Sequence, residues 1–260
     1  MTESYKRNHN NICKYHMKYI FGNTKMYLTL EESVGLAGTI KSLPISSDYT
    51  VALFPTALAF GHMVETLQGT SFALGAQNVA WTPKGAYTGA VSAQLYKEAG
   101  AAYALVGHSE RRYIFGETND DVRKKVEACL AAKITPVVCI GETHEDKQQN
   151  TRTLRLREQI KAVFEGLSLG EEKILLAYEP VWAISSLSQG EPCTPADVQD
   201  VHDWIREELK QYTDQNVPIL YGGSVNSENI VSYMELPQVD GVLVGNASTK
   251  PEFWQFVSQL

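Results

Sequence analysis

The chain is poor in cysteine. Of 260 residues only Cys13, Cys129, Cys139 and Cys193 carry thiols, with no CxxC pair and no Cys/His ligand spacing. That disfavours zinc and offers no disulfide framework, so a reducing cytoplasm is the expected compartment. Cationic side chains are outnumbered: 23 Lys and Arg stand against 30 Asp and Glu, a formal charge of −7. No Arg-rich run or basic stripe occurs, which argues against a nucleic-acid partner, because affinity for a phosphate backbone comes from clustered Lys and Arg. A net-negative protein that binds an anion must gather positive potential locally, at a single Lys or at helix N-termini. No apolar stretch reaches the roughly 20 residues of a membrane-spanning helix, so no membrane partner is expected. Residues 1–17 are polar, lack the apolar core of a signal peptide, and read as a poorly ordered arm. No Pro/Gly/Ser-rich linker or low-complexity tract interrupts the remainder, so residues 18–260 read as one domain.

Short apolar, β-rich runs recur along that domain: Tyr19–Gly22, Val51–Phe54, Phe72–Gln77, Tyr103–Gly107, Pro136–Gly141, Ile174–Glu179, Pro218–Gly222 and Gly241–Gly245. Most are continuously apolar rather than alternating, the pattern of parallel strands buried on both faces. Helical periodicity lies between them. Asn119–Ala131 opens with acidic residues and spaces Val122, Val126, Cys129 and Leu130 along one face, with the Lys124–Lys125 pair downstream of the start. Pro195–Tyr212 begins with a Thr194 cap and a first-turn proline, and its apolar face is Val198, Val201, Trp204, Ile205 and Leu209. Eight strands each followed by a helix indicate an α/β architecture, either an open doubly wound sheet or a closed barrel. No GxGxxG follows the first strand, which weakens the dinucleotide-binding sheet. Polar residues follow nearly every strand, at Asn23, Gln77, His108, Glu142, Glu179, Gly222 and Gly245. A site assembled from many strand ends is the habit of a (β/α)8 barrel.

Several of these positions carry chemistry. Glu179 ends an apolar strand, where a carboxylate is costly to bury without a role or a partner. Shielding from water makes a carboxylate a better base, although an ion pair at a barrel rim would fit the same position. His108 precedes Ser109-Glu110, which would start a short helix or turn. A neutral imidazole there can donate to a carbonyl, and a satisfied core histidine is the bland alternative. Glu110 and Arg111 are equally readable as an ion pair. Lys25, after the first strand with Asn23, can neutralise a phosphate or an enediolate oxygen, or be a plain surface lysine. The turns at Gly222-Gly223-Ser224 and Gly245-Asn246 allow backbone N–H groups to approach an anion, or simply relieve crowding.

Taken together, Asn23-Thr24-Lys25-Met26, Ala76-Gln77-Asn78-Val79, Gly107–Arg112 (GHSERR), Cys139–Thr143 (CIGET), Ala177–Ile184 (AYEPVWAI) and Tyr221–Val225 (YGGSV) resemble the triosephosphate isomerase family, in the family's order, from about Lys18 to the C-terminus. The resemblance implies a single-domain (β/α)8 TIM barrel. It implies interconversion of dihydroxyacetone phosphate and D-glyceraldehyde 3-phosphate through an enediolate, in glycolysis and gluconeogenesis. By the same resemblance Glu179 is the base, His108 the electrophile and proton shuttle, and Lys25 the electrostatic stabiliser. Asn23 adds a hydrogen bond and Glu110 organises Lys25. Pro180–Cys193 is implied to contain a lid, and Ser185, Ser224, Gly245 and Asn246 to bind the substrate phosphate. No metal or organic cofactor is implied, because the reaction moves protons within one substrate. A homodimer is implied, built through the loop Gly85–Gly89 that holds Thr88.

The chain departs from the family pattern in four places. Thr24 replaces the usual Trp of N-W-K-M-N, and Ala90 replaces a Glu in the third loop. The lid tip Ser185–Cys193 is longer than the usual G-T-G-K type, and Asn246 stands where a second glycine is usual. Lid and last-loop changes of this kind also resemble paralogues acting on four-carbon ketose phosphates (tetrulose phosphates). A third reading is a silent barrel that only binds sugar phosphates. The retention of Asn23, Lys25, His108 and Glu179 argues against it.

Overall fold

A computed structural model describes residues 17–184 and 193–260. Its strands are β1 Lys18–Asn23, β2 Tyr49–Phe54, β3 Phe72–Ala76, β4 Tyr103–Val106, β5 Thr135–Ile140, β6 Leu175–Tyr178, β7 Ile219–Tyr221 and β8 Gly241–Val244. All neighbouring pairs are parallel, and β8 pairs back to β1, closing the barrel in sequence order. The helices are α1 Leu30–Ile40, α2 Ala57–Leu67, α3 Ala93–Glu98, α4 Ser109–Tyr113, α5 Asn119–Ala131, α6 His144–Gln148, α7 Arg152–Phe164, α8 Pro195–Leu209, α9 Ile230–Met234 and α10 Pro251–Val257. The open doubly wound sheet is thereby excluded. No helix among the described residues is long and apolar enough to cross a membrane.

The continuous apolar runs have a direct cause: the strands are packed on both sides. One set of residues, including Phe21, Phe54, Leu105, Val137, Cys139, Leu175, Leu220 and Leu243, fills the barrel interior. Their alternates, among them Ile20, Leu53, Val106, Val138, Ile140, Leu176 and Val242, face the helices in a larger outer core. The tilted rings of Phe21 and Phe54, 5.5 Å between centroids, occupy the inside. Gly75 leaves them space, since a Cβ there would stand 2.2 Å from Phe54 Cε1.

Six expected strands run one residue too far. Gln77, Gly107, Gly141, Glu179, Gly222 and Gly245 lie just beyond β3 to β8, where the chain leaves the sheet at one end of the barrel. Helix α5 matches its expected limits, and Thr118 caps it with Asp121 in a capping box. Helix α8 stops at Leu209, three residues short of Tyr212. Lys210 caps it, and the Tyr212 hydroxyl reaches back to Glu208 over 3.5 Å. Val198, Val201, Ile205 and Leu209 of α8 are buried as expected, whereas Trp204 is only partly buried under the Arg157 guanidinium.

His202 also lies on the buried face of α8, with no exposed surface. Its Nδ1 is 3.2 Å from the Gln238 carbonyl, which can only accept, so Nδ1 carries the proton. Its Nε2 is buried without a partner, and the ring meets Tyr178 edge-on at 5.9 Å. Burial holds its pKa down at about 4, from an ordinary 6.5, with Arg206 and Lys18 lowering it further against Asp203. A folded-state value below the unfolded one means that the stabilisation is complete above pH 6.5. It is then lost as pH falls from 6.5 toward about 4. Thermal melts across that interval are expected to show a steep fall that His202→Gln flattens. Equal slopes for both proteins would refute it.

Candidate active site

Of the sequence-predicted residues, those described are placed around one opening by the ends of β1, β4, β6, β7 and β8. Glu179 follows β6 directly. Its N–H donates to Ile140 O of β5 over 2.7 Å, which brings the two chains into very close approach. A Cβ on Gly141 would lie 1.8 Å from Glu179 O, and one on Gly222 2.8 Å from Glu179 Cγ, so glycine at the first leaves room for the backbone of Glu179 and glycine at the second for its side chain. The carboxylate is almost wholly buried. Its Oε2 accepts the Ser109 N–H over 3.0 Å, and its Oε1 stands 3.3 Å from His108 Nε2. The rim ion pair that position alone allowed is not what is seen. Among the described contacts, Glu179 meets an imidazole and the backbone amide that starts α4.

His108 occupies the cap position of α4, and its Nδ1 accepts the Glu110 N–H over 3.2 Å. A backbone N–H can only donate, so Nδ1 holds a lone pair and the ring proton sits on Nε2, facing Glu179. Glycine at position 107, with φ +72°, makes the turn that presents the ring. Arg112 buttresses it, donating to Gly107 O over 2.7 Å, to Asn119 Oδ1 over 2.7 Å and to Cys139 O over 3.2 Å.

Lys25 adopts a left-handed backbone, φ +50°, uncommon for a residue with a side chain. Its surroundings impose this. The Lys25 N–H donates to Asn23 Oδ1 over 2.9 Å, and Gln77 Nε2 donates to both Lys25 O and Phe54 O at 2.8 Å. The Lys25 ammonium then meets Glu110 Oε1 at 2.8 Å. Glu110 and Arg111 thus have different acidic and basic partners: Arg111 pairs with Glu117 at 3.0 Å.

Asn23, Lys25, His108, Glu179, Ser224, Gly245 and Asn246 line one cavity of about 300 Å³. Ser224 has its hydroxyl engaged, donating to Ala183 O over 2.8 Å. Gly245 borders Lys25, with room for a Cβ at 3.5 Å from Lys25 Cε, and Asn246 is exposed at the rim. Ser185, with the lid tip through residue 192, lies outside the described residues. Among the described residues no group of three or more His, Cys, Asp and Glu side chains is arranged to hold a metal ion. The arrangement presents a shielded carboxylate, a neutral N–H donor and an ammonium to one small space. That set can take a proton from carbon and stabilise the oxyanion that results.

Two buried carboxylates behind the site were not legible as such. Glu142 has no exposed surface, and burial raises its pKa despite the hydrogen bonds it receives. Its Oε1 accepts from Tyr178 Oη at 3.0 Å and Trp182 Nε1 at 2.8 Å, on either side of Glu179, and Arg152 pairs with it at 3.2 Å. Glu117 accepts the Gly107 N–H over 3.1 Å and pairs with Arg111 and with buried Lys125, which also donates to Asn78 Oδ1 at 2.7 Å. The signal for Lys125 was present: it stands three residues after Val122 and next to Val126, on the apolar face of α5. Glu117→Ala would strand the Lys125 ammonium in the interior. The expected loss is about 3–5 kcal/mol of stability by urea unfolding, and an unchanged midpoint would refute the clamp.

The comparisons with known proteins agree with this geometry. A sequence model of the family described as "Triosephosphate isomerase" matches residues 18–260. A relative of that name from Roseiflexus sp. (strain RS-1) is 41% identical over 237 residues, covering 89% of this chain and 92% of its own. One from Aquifex aeolicus is 38% identical over 239 residues, 90% and 96% of the two chains. One from Dictyoglomus turgidum is 36% identical over 247 residues, 92% and 98%. With a closed eight-stranded barrel, a match across the whole barrel and relatives of this identity, the chain belongs to the triosephosphate isomerase family.

Proposed function

We propose that the protein interconverts dihydroxyacetone phosphate and D-glyceraldehyde 3-phosphate, with Glu179 moving the proton. The observation that carries this reading is the facing pair, Glu179 Oε1 3.3 Å from His108 Nε2, in a cavity also lined by Gly222, Gly223 and Gly245. Glu179 takes a proton from the carbon beside the carbonyl and returns it to the neighbouring carbon. The Ser109 N–H on Oε2 fixes the direction of the other oxygen. His108 donates from Nε2 to the carbonyl oxygen and carries a proton between the two enediolate oxygens. Lys25 offsets the developing charge, and Glu110 holds its ammonium in place. Asn23 spends its Oδ1 on the Lys25 amide, which leaves its NH2 group for the substrate. The phosphate is assigned to the turns at Ser224 and at Gly245-Asn246 and, by resemblance alone, to Ser185.

We also propose a homodimer. The segments after four consecutive strands expose large apolar side chains at the same end of the barrel: Met26 and Tyr27, Leu58 in the first turn of α2, Trp81 with Tyr87 and Val91, and Ile114 with Phe115. Thr88 stands exposed among the third set, beside a second cavity of about 350 Å³. Exposure of this much apolar surface suits burial against a second copy. A cytoplasmic location is supported by Cys129, Cys139 and Cys193, all free and buried. The division into an arm at 1–17 and a barrel at 18–260 is supported by the start of β1 at Lys18.

A coupled assay on D-glyceraldehyde 3-phosphate, run beside a tetrulose phosphate, tests the activity. Efficient triose turnover is expected. Good tetrulose turnover with poor triose turnover would move the substrate to the longer sugar. Glu179→Asp withdraws the carboxylate by about one carbon–carbon bond and is expected to lower kcat by about 10²-fold or more, with smaller change in inhibitor binding. Unchanged kcat would exclude Glu179 as the base. Light scattering is expected to give about twice the protomer's 28.9 kDa, and a monomeric mass at working concentration would refute the dimer.

A further inference from the structure

The connection between β7 and β8 holds a phenol that the reaction does not use. Tyr233 lies in α9, and its hydroxyl donates to the Cys193 carbonyl over 2.7 Å in a buried contact that spans 40 residues of chain. Cys193 directly precedes Thr194, which caps α8. The Tyr233 ring packs on that of Tyr221, with centroids 4.4 Å apart and planes at 37°. Tyr221 ends β7 and is fully buried, with its hydroxyl close to the Tyr233 hydroxyl. Gly223 folds over the Tyr221 hydroxyl so closely that a Cβ on it would stand 2.1 Å from the oxygen. The turn therefore rests on the Tyr221 phenol, and the Tyr233 ring packs against that phenol. The next residue is held as well: Ser224 donates to Ala183 O over 2.8 Å, and Asn229 Nδ2 donates to Ser224 O over 3.0 Å.

We infer that Tyr233 is a positioning residue for the phosphate end of the cavity: by bracing Tyr221 and tying it to Cys193, it fixes the Gly222–Ser224 turn. The inference rests on the isomerase reading above. Tyr233 touches no reacting atom. A buried neutral hydrogen bond of this kind corresponds to roughly a three- to tenfold effect on binding of the group it positions. That effect is confined to substrates carrying a phosphate.

Tyr233→Phe removes the hydroxyl and keeps the ring packing. The measurements are KM and kcat for D-glyceraldehyde 3-phosphate, kcat/KM for unphosphorylated D-glyceraldehyde, and a thermal melt. KM for the phosphorylated substrate is expected to rise about three- to tenfold. The value for glyceraldehyde is expected to stay unchanged, and the melting temperature to stay within about 5 °C of the parent. An unchanged KM, or losses of equal size on both substrates, overturns the inference. A wild-type protein without triose phosphate turnover would overturn the isomerase reading and this inference together. An active wild type with an indifferent variant overturns the inference alone.

Discussion

The site depends on how closely the chain after β6 can approach its neighbours. Glu179 is shielded from water because Gly141 and Gly222 have no side chains to fill the space that it occupies, at 1.8 Å from the carbonyl on one side and 2.8 Å from Cγ on the other. Any other residue at Gly141 would push β6 away from β5 at the point where Glu179 N–H pairs with Ile140 O. The carboxylate would then lose its line to Ser109 and His108. Steric absence at two positions sets the geometry of the acid–base pair, and the hydrogen bonds refine it.

Around that pair the protein repeats one device, a polar group fixed by backbone rather than by water. His108 has its tautomer set by the Glu110 amide, and Lys25 its strained backbone by Asn23 and Gln77. Glu142 holds the side chains that flank Glu179, and Glu117 holds the amide before His108. Glu142 and Glu117 each have a cationic partner close by, which keeps their burial from becoming prohibitive, and Glu179 relies on the Ser109 amide and the His108 ring instead. The interior ionic groups and the reacting groups are therefore one continuous framework.

Much of this was legible in the sequence. The eight strands announce themselves because residues buried on both faces leave unbroken apolar runs, and Glu179, His108 and Lys25 stand out because they interrupt that pattern at its end. The overrun of six strands by one residue has the same origin. Gly141 and Gly222 read as apolar, yet their role is to let the chain at Glu179 come close. Lys125 was harder to read. It sits beside Lys124 in a pair that suits a helix dipole; its spacing puts it on the apolar face, but the fold is needed to show its partner, Glu117, in the core. Pairing between charges far apart in the chain leaves little trace in local periodicity. The exchange of partners by Glu110 and Arg111 belongs to the same class.

The pairing of β8 with β1 has a consequence for when the protein becomes competent. Tyr19 lies against Gly241, and the cavity draws Asn23 and Lys25 from the first strand's end and Gly245 and Asn246 from the last. Contacts this distant in sequence form late, since the chain between them must already be ordered for closure to be favourable. During synthesis β1 waits, with one edge unpaired, until β8 has left the ribosome. Completion of the binding pocket and completion of the barrel are then a single event, so a nascent chain cannot process substrate before its fold is sealed.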